Sequence, residues 1–328
     1  MIRIIAEIGS VHDGSFGNAL KLIEAAAAAG ADAVKFQTHI AEAESLGSAP
    51  APAYFSDEAR LAYFRRTAFT LEQWRKLAAH AEKNGVVFLS SPFSLEAVEL
   101  LEEVGIAAYK IPSGEISNVP LLERVARVGK PVLLSSGMSG WDELDLAVAT
   151  VRKSCATTIM QCSSAYPCPP ERVGLNVIRE MSDRYGLPVG YSDHTMGFAA
   201  PVAAAALGAK VIEKHFTFSR LMYGSDARHS MEPGEFKAMA QALREVWTMM
   251  ENPVNKADIA PYADMKRIFE KSVVTARAIA SGEKITAEML AFKKPGDGVP
   301  AREYGRLIGH YAKRALPADH KISEDDLN

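Results

Sequence analysis

The sequence predicts a parallel (β/α)8 barrel of the TIM type followed by a small C-terminal domain. Short apolar, β-branched runs alternate with longer amphipathic runs up to about residue 250, and there are eight such runs. This alternation is typical of βαβ units, and eight of them favour a closed barrel. Composition then changes, so we assign residues 1–252 to the barrel, 253–267 to a linker and 268–328 to the small domain.

Each predicted strand is an apolar run bounded by turn residues or charges. No Gly-x-Gly-x-x-Gly pattern follows the first run, which counts against a dinucleotide-binding open sheet. The eight predicted strands are Arg3–Gly9, Ala31–Gln37, Val86–Ser91, Ala107–Ser113, Pro131–Gly137, Thr157–Ser164, Leu187–Asp193 and Lys210–Phe216.

Capping residues mark the helices between these strands. The Ala-rich segment Asn18–Ala29 ends at Gly30, a residue typical of helix C-termini. A second helix is predicted over Thr70–Asn84. A third, Ser94–Val104, opens with a serine cap and has Glu96 in its first turn, where a negative charge is favourable.

The tail contains short β-like runs separated by turn signals, and it repeats itself. The pattern in residues 277–290 returns in residues 314–327 at a constant offset of 37. We therefore expect a small domain with two similar halves. A domain of about 60 residues is marginally stable alone, so we expect it to dock on another surface.

Composition excludes several classes of protein. The chain has 37 Lys and Arg against 40 Asp and Glu, a formal charge of −3, which is not the footprint of a nucleic-acid or membrane-surface binder. Its three cysteines form neither an even set nor a C-x-x-C pair, so a disulfide scaffold is not predicted. We expect a cytoplasmic protein without a nucleic-acid or membrane partner.

Every predicted strand carries polar or ionisable groups at its C-terminal end, where active sites of such barrels lie. Lys35 and Lys110 are joined there by the hydroxyls of Ser91, Ser113 and Ser135. Such a cationic ring of donors suits a phosphate or a carboxylate. A set of solvated rim residues is the alternative.

Two histidines, His194 and His215, end the adjacent strands 7 and 8. Two neutral imidazoles, completed by water and substrate oxygens, would suit a divalent ion of the Mn, Fe, Co or Zn group. The alternative is a pair of barrel histidines hydrogen-bonded to their neighbours.

Four carboxylates, Glu7, Glu115, Glu213 and Asp226, are also candidates. Buried among lysines and a metal they would stay ionised, and they could bind sugar hydroxyls, orient a lysine or move a proton. Each could instead be a structural partner for a barrel lysine. Tyr166 is a candidate to stack on a substrate, or simply to pack.

An insertion of about 30 residues follows strand 2 and carries Tyr54, Phe55, Tyr63 and Phe64. Long loops of barrels often form substrate walls, so we expect either a substrate wall or an oligomer contact here.

The strand-end motifs, in order, resemble those of the bacterial sialic acid (N-acetylneuraminate) synthases, a family that includes the legionaminic and pseudaminic acid synthases. The tail, through residues 281–286 and 294–296, resembles the antifreeze-like (SAF, β-clip) domain of that family. The strand-end motifs are Ala6-Glu7-Ile8-Gly9, Val34-Lys35-Phe36-Gln37-Thr38, Ser91-Pro92-Phe93-Ser94, Lys110-Ile111-Pro112-Ser113-Gly114-Glu115, Ser135-Ser136-Gly137-Met138, Gly190-Tyr191-Ser192-Asp193-His194 and Ile212-Glu213-Lys214-His215-Phe216-Thr217.

The resemblance implies a condensation of phosphoenolpyruvate with an N-acetylated mannose-type sugar, giving a nine-carbon 2-keto acid and phosphate. The sugar would be N-acetylmannosamine or 2,4-diacetamido-2,4,6-trideoxymannose. It implies a divalent metal on His194 and His215, which we expect to be Mn²⁺, with Mg²⁺ or Co²⁺ as alternatives. It also implies a homodimer in which the antifreeze-like domain of one subunit covers the barrel mouth of the other.

The resemblance assigns roles residue by residue. The candidate catalytic residues are Glu115, Glu7 and Lys110, with Glu115 proposed to transfer a proton. The phosphoenolpyruvate contacts would be Lys35, Ser91, Lys110, Ser113, Ser135 and Ser192. The sugar-side carboxylates would be Glu7, Glu115, Glu213 and Asp226, with Tyr166 near the ligand.

The chain departs from the family pattern at three places. Ser164 stands where the family often has Asn, and Val11-His12-Asp13-Gly14 replaces Asn-His-Asn-Gly. Lys294 replaces an Arg that reaches the partner's sugar, and lysine keeps the charge but loses the bidentate fork. Ser164 and Lys294 stay candidate substrate-binding residues. Because these changes fall mostly on the sugar side, the identity of the sugar stays open.

Two other functions remain open at this point. One is a Schiff-base aldolase acting on pyruvate, with Lys110 or Lys35 as the nucleophile. The other is a non-catalytic sugar- or ice-binding protein, which the tail alone would permit.

Overall fold

The structure is a computed structural model that describes residues 1–50 and 58–328. It contains two compact units, Met1–Asn252 and Pro253–Asn328. Within the described residues, we find no helix with the length and apolar character needed to cross a bilayer.

The first unit is a closed barrel of eight parallel strands in sequence order, which confirms the predicted fold class. All eight predicted strands are present. The fourth is shorter than predicted because Pro112 ends its pairing and a 3₁₀ turn, Ser113–Glu115, follows at once. The strands are β1 (Arg3–Gly9), β2 (Ala33–Thr38), β3 (Val87–Pro92), β4 (Tyr109–Ile111), β5 (Val132–Ser135), β6 (Thr157–Cys162), β7 (Val189–Asp193) and β8 (Val211–His215).

Helices cover the outside of the barrel, and the three predicted from capping signals are among them. Ser94 accepts a hydrogen bond from the Ala97 backbone N–H, and Thr70 forms a capping box with Gln73, so both residues act as N-caps. The barrel's helices are α1 (Phe16–Ala28), α2 (Ala41–Glu44), α3 (Arg60–Thr67), α4 (Leu71–Lys83), α5 (Leu95–Val104), α6 (Val119–Val128), α7 (Trp141–Val151), α8 (Asn176–Tyr185), α9 (Ala199–Ala206) and α10 (Pro233–Glu251).

The insertion after β2 supplies α2 and α3. Tyr63 and Phe64 of α3 are buried together with Ala41 in a small apolar cluster of their own. Tyr54 and Phe55, the other two aromatic residues of this insertion, lie outside the described residues.

The inside of the barrel is built in layers, because side chains of a strand alternate between its two faces. An apolar floor closes the lumen, with Ile5, Ala33, Leu89, Met160 and Val211 as its buried members. Two residues further along each strand, the inward position is polar or small. The residues of this second layer are Glu7, Lys35, Ser91, Lys110, Ser135, Cys162, Ser192 and Glu213.

The second unit has its own apolar core and a two-stranded antiparallel sheet of β9 (Ser272–Thr275) and β10 (Leu290–Lys293). Within this unit the sheet is preceded by α11 (Ala263–Phe269), which begins inside the segment that the sequence assigns to a linker.

The sequence repeat is visible in this unit as a structural repeat. Ile279 and Leu316, which are equivalent under the offset of 37, pair with each other through two backbone hydrogen bonds of 2.9 Å. Gly282 and Asp319, also equivalent, are both in the left-handed region, at φ +78° and +63°. Each half therefore makes the same turn, and the two halves contact each other at the equivalent residues Ile279 and Leu316.

Candidate active site

The centre of the second layer is a cluster of two lysines and two glutamates. The Nζ of Lys110 donates to both oxygens of Glu213, at 2.8 and 3.0 Å. The Nζ of Lys35 lies 2.8 Å from Glu7 Oε2 and 3.8 Å from Glu213 Oε1. All four residues are at least 96% buried. The lysines predicted to form a cationic ring are thus neutralised by carboxylates within the same layer.

Burial and pairing set the ionisation of this cluster. Burial opposes the charged form of Glu213, but Lys110 and Lys35 outweigh it and lower its pKa to about 2. Burial likewise disfavours the charged form of Lys35, yet Glu213 and Glu7 raise its pKa. For Glu7 the balance is opposite, since burial outweighs Lys35 and raises the pKa. The lysines thus favour the ionised form of Glu213, whereas burial acts against the ionised form of Glu7.

Serine hydroxyls surround the cluster. Ser91 accepts a hydrogen bond from Lys35 at 3.1 Å, and Ser192 donates to Glu213 at 3.2 Å. The hydroxyl of Ser135 is buried and has no hydrogen-bond partner among the described residues. Because an unsatisfied buried hydroxyl is costly, Ser135 marks a place where a ligand oxygen would be favourable.

Gly137, just after β5, allows three side chains to converge, two of which are predicted site residues. A Cβ atom there would lie 2.4 Å from Ser164 Oγ, 2.7 Å from Ser113 Oγ and 3.0 Å from Cys162 Sγ. The backbone N–H of Gly137 also donates to Ser113 Oγ at 3.0 Å. The structure thus brings Ser113 and Ser164 together through a glycine that has no space for a side chain.

The two predicted histidines lie side by side, with ring centroids 5.5 Å apart. The Nδ1 of His194 is 2.8 Å from the carbonyl oxygen of Ser163 and therefore carries a hydrogen. Burial lowers the pKa of His215 to about 3, and its buried Nδ1 has no hydrogen-bond partner among the described residues. Tyr166 packs on His194 with a centroid distance of 4.1 Å.

These histidines would be two of the ligands of a metal ion, and the protein would not supply the others. The described residues contain no cluster of three or more His, Cys, Asp or Glu that could hold a metal ion. The imidazoles of His194 and His215, the second with an unpaired buried nitrogen, are therefore the protein ligands available. The remaining ligands would have to be oxygens of water or substrate.

Above the cluster the barrel opens into a cavity of about 370 Å³. At its edge, Gly9 has φ +53°, and a Cβ there would lie 2.6 Å from Asp226 Oδ2, 3.3 Å from Gln37 Nε2 and 3.5 Å from Glu7 Oε1. The cavity is lined by Ser10, Gln37, His39, Arg60, Tyr63, Phe64, Phe93, Pro112, Ser113, Gly114, Met138, Ser164, Tyr166, His215, Ser225 and Asp226. Its size suits a ligand of sugar size.

Two predicted residues stand apart from this cluster. Glu115 lies on the 3₁₀ turn after β4, accepts a hydrogen bond from Asn118 Nδ2 at 2.7 Å, and has a pKa raised by burial. Its neighbour Gly114 lines the cavity. Lys294 belongs to the second unit, where its Nζ lies 4.9 Å from the centroid of the Phe269 ring.

Sequence reasoning missed a buried pair directly behind the histidines. Lys214 binds Asp193 and the carbonyl oxygens of Thr195 and Gly197, and Asp193 also accepts from the Tyr191 hydroxyl at 2.7 Å. Asp193 and Lys214 each precede a histidine by one residue, so they face the opposite side of their strands. Strand parity is the signal that separates them from the inward-facing groups.

His39 was missed as well. It continues the parity of Lys35 and Gln37 beyond the end of β2, so its place on the inner side could have been predicted. Its ring lies between those of Phe64 and Phe93, at the edge of the cavity.

The chain matches known proteins over nearly its whole length. The family model described as the NeuB family matches residues 22–255, and the model for the SAF domain matches residues 270–328. The chain is 38% identical over 330 residues to the N,N'-diacetyllegionaminic acid synthase of Campylobacter jejuni, covering 98% of each chain. It is 34% identical to the human N-acetylneuraminate-9-phosphate synthase, covering 98% of this chain and 91% of the relative.

The chain is also similar to a solved structure. The N-acetylneuraminic acid (sialic acid) synthetase of Leptospira borgpetersenii, in complex with citrate, superposes with a TM-score of 0.73 at 30% identity. The alignment covers 80% of this chain and 90% of the other.

Proposed function

Because the chain belongs to the NeuB family, we propose that it is a nonulosonic acid synthase that condenses phosphoenolpyruvate with an N-acetylated mannose-type sugar. The observation that carries the proposal is the buried Lys–Glu cluster with its serine hydroxyls, beside two histidines at the mouth of the barrel. A new bond forms between C3 of phosphoenolpyruvate and the aldehyde carbon of the sugar. Water adds at C2, and phosphate leaves with cleavage of the C–O bond, so the products are a 2-keto acid and phosphate.

The phosphoenolpyruvate half of the site would be the second layer of the barrel. The ammonium groups of Lys35 and Lys110, held by Glu7 and Glu213, would donate hydrogen bonds to the ligand, as would the hydroxyls of Ser91 and Ser192 in this layer. Ser113, on the turn after β4, would add a further hydroxyl. The unpaired hydroxyl of Ser135 would gain a phosphate or carboxylate oxygen as a partner. These groups are positioned before the ligand binds, and such preorganised donors stabilise charge that develops on a leaving phosphate.

His194 and His215 would hold the divalent metal, for which Mn²⁺ is the first choice. Such an ion would polarise the carbonyl oxygen of the open-chain sugar. The chain's own contribution is orientation. The bond from His194 Nδ1 to the Ser163 carbonyl turns Nε2 towards the site, and Tyr166 holds the ring from the other side.

Glu7 and Glu115 are the proposed proton-transfer groups, because burial raises the pKa of both carboxyls towards the range where a general acid or base works. Glu7 lies inside the cluster and touches Lys35. Glu115 lies on the turn next to the cavity. Asp226, which faces Gly9 together with Glu7, would bind sugar hydroxyls.

We also propose a homodimer in which the SAF domain of one subunit covers the barrel mouth of its partner. Lys294 would then be the residue offered to the partner's sugar. Exposed apolar side chains of the second unit, among them Phe292, Tyr304 and Tyr311, support an intermolecular contact.

The Schiff-base alternative is weakened by the pairing of both lysines. A nucleophilic lysine needs a lowered pKa, whereas the pKa of Lys35 is raised and Lys110 is held by both oxygens of Glu213. Borohydride treatment in the presence of pyruvate should therefore leave the protein unmodified.

The decisive experiment is phosphate release from phosphoenolpyruvate with Mn²⁺, run against three sugars: N-acetylmannosamine, 2,4-diacetamido-2,4,6-trideoxymannose and unacetylated mannose. Phosphoenolpyruvate labelled with ¹⁸O at the bridging oxygen should deliver the label to phosphate, since the C–O bond breaks. We expect release with one acetylated sugar and none with mannose. Absence of release with every sugar, from a folded protein supplied with metal, would overturn the proposal.

A further inference from the structure

His39 lies just beyond β2 in an enclosed position at the edge of the cavity. Its imidazole is stacked between Phe64 and Phe93, with centroid distances of 3.8 and 4.1 Å and interplanar angles of 15° and 20°. The side chains of His39 and of its partner Glu44 are only 8% and 4% exposed. A histidine so confined can present its two nitrogens in only one plane.

Both nitrogens are used, and they belong to a chain of hydrogen bonds that leads into the candidate active site. The Nδ1 atom of His39 lies 2.9 and 3.0 Å from the two carboxylate oxygens of Glu44, and Nε2 lies 3.1 Å from Gln37 Oε1. The amide nitrogen of Gln37 then donates to Glu7 Oε1 at 2.7 Å. Glu7 in turn touches Lys35.

The direction of this chain follows from its two ends. A carboxylate only accepts hydrogen bonds, so Glu44 requires an N–H at Nδ1 of His39. Glu7 accepts from the NH₂ group of Gln37, which turns the carbonyl oxygen of that amide towards His39 and requires an N–H at Nε2. In this arrangement both ring nitrogens of His39 face oxygen acceptors.

We propose that His39 is a positioning residue that fixes the carboxamide of Gln37 with its NH₂ group towards Glu7 and the sugar-binding end of the cavity. The kinetic consequence rests on the proposed function, whereas the hydrogen-bond arrangement does not. Glu44 and the two phenylalanines hold the ring of His39 in place. His39 itself does not touch the second layer of the barrel.

The orientation matters because of what else faces this point. Gln37 Nε2, Glu7 Oε1 and Asp226 Oδ2 all lie within 3.5 Å of the place where a Cβ of Gly9 would be. With the NH₂ group there, one donor lies among two carboxyl groups and offers its second hydrogen to a sugar hydroxyl. A reversed amide would put three acceptors together, which is repulsive and would present no donor to the sugar.

The arrangement is testable without any substrate. In protein with ¹⁵N-labelled histidine side chains, one of the eight histidines should show two protonated ring nitrogens at neutral pH, and His39→Phe should remove that signal. A single protonated nitrogen for His39 would overturn the inference. It would mean that Glu7 is the donor and that the amide is turned the other way.

Kinetics test the positioning role. H39F keeps a ring between Phe64 and Phe93 but removes both N–H donors, so we expect the KM for the sugar to rise about tenfold or more. The KM for phosphoenolpyruvate should change by less than about twofold, because the second layer is untouched. Equal effects on both substrates, or none on either, would overturn the role.

Two further variants keep this test decisive. Glu44→Gln retains the stacked imidazole while removing the anion that binds Nδ1, and it should move the sugar KM in the same direction even if H39F fails to fold. Glu42→Gln, on the same short helix but with an exposed side chain, is the matched control. If wild-type protein condenses no sugar, the proposed function fails, and the ¹⁵N spectrum still decides the state of His39.

Discussion

Lys110 on β4 and Glu213 on β8 form a bidentate ion pair across the lumen of the barrel, at 2.8 and 3.0 Å. The two strands are four positions apart in a ring of eight, so they face each other. This pair therefore connects opposite walls at the level where the candidate active site begins. The carboxylate of Glu213 also lies near the second lysine, since Lys35 Nζ is 3.8 Å from Glu213 Oε1.

Glu213→Gln should destabilise the protein and leave the two lysines without their shared anion. Breaking a buried pair from one side costs about 3–5 kcal/mol, because the remaining charge is buried alone. Urea unfolding at neutral pH measures the loss. The control is Glu99→Gln, whose exposed pair with Arg124 should contribute little to stability. Equal stability of the two variants would contradict the account of the cluster.

The same carboxyl predicts a pH dependence of stability. Its pKa falls from an ordinary 4.5 to about 2 in the folded protein. Stability from this group is therefore complete above pH 4.5 and is lost as the pH falls towards 2. The free energy of unfolding should decline more steeply over this interval in the wild type than in E213Q. Parallel curves would show that Glu213 is not the group responsible.

Gly137→Ala should impair phosphoenolpyruvate binding while the barrel stays folded. The added methyl group would meet three side-chain atoms at 2.4–3.0 Å, so Ser113 and Ser164 would have to move. We expect the KM for phosphoenolpyruvate to rise about tenfold. Gly140→Ala is the control, because nothing lies within 4 Å of its Cβ position. Similar kinetics for G137A and G140A would show that the serines are not required at this point.

His194→Ala and His215→Ala should each abolish tight binding of Mn²⁺, because the described residues offer no third ligand to compensate. Titration of the ion followed by electron paramagnetic resonance measures binding without any turnover. Removal of metal by a chelator should likewise abolish phosphate release and restoration of Mn²⁺ should recover it. His80→Ala, on α4 and paired with Glu24, is the control. Undiminished binding in both site variants would place the metal elsewhere.

Lys214→Met should destabilise the protein by about 3–5 kcal/mol, since it leaves Asp193 buried without its cation. The double variant D193N/K214M should recover part of that loss, because no uncompensated charge remains. Denaturant unfolding of the single and double variants gives the coupling. Lys210→Met, an exposed lysine near the Trp247 ring, is the matched control. A double variant less stable than K214M would contradict a charge-based explanation.

The sequence predicted the barrel well because parity and strand ends are local properties. Glu7, Lys35, Lys110 and Glu213 could be selected since each is an ionisable residue near the C-terminal end of an apolar strand. Their mutual pairing could not, because it depends on which strands face each other across the lumen. For the same reason the ring of lysines looked cationic in the sequence and is neutralised in the structure.

Other features could be recognised only from the three-dimensional packing. The triplet Glu213-Lys214-His215 contains three ionisable residues, and only the barrel shows that the middle one faces outwards towards Asp193. The parity of β2 places His39 on the inner side, but its enclosure depends on residues distant in the sequence. Its stacking partners come from α3 and from the loop after β3.

The layers of the lumen differ in how freely their residues can be exchanged. Along each strand the floor residue belongs to the apolar core, the residue two positions later belongs to the second layer, and the residue four positions later reaches the mouth of the barrel. Gln37, Phe93, Ser164 and His215 belong to this last group and line the cavity. A residue at the mouth, such as Ser164, can therefore change while the floor and the second layer beneath it stay the same.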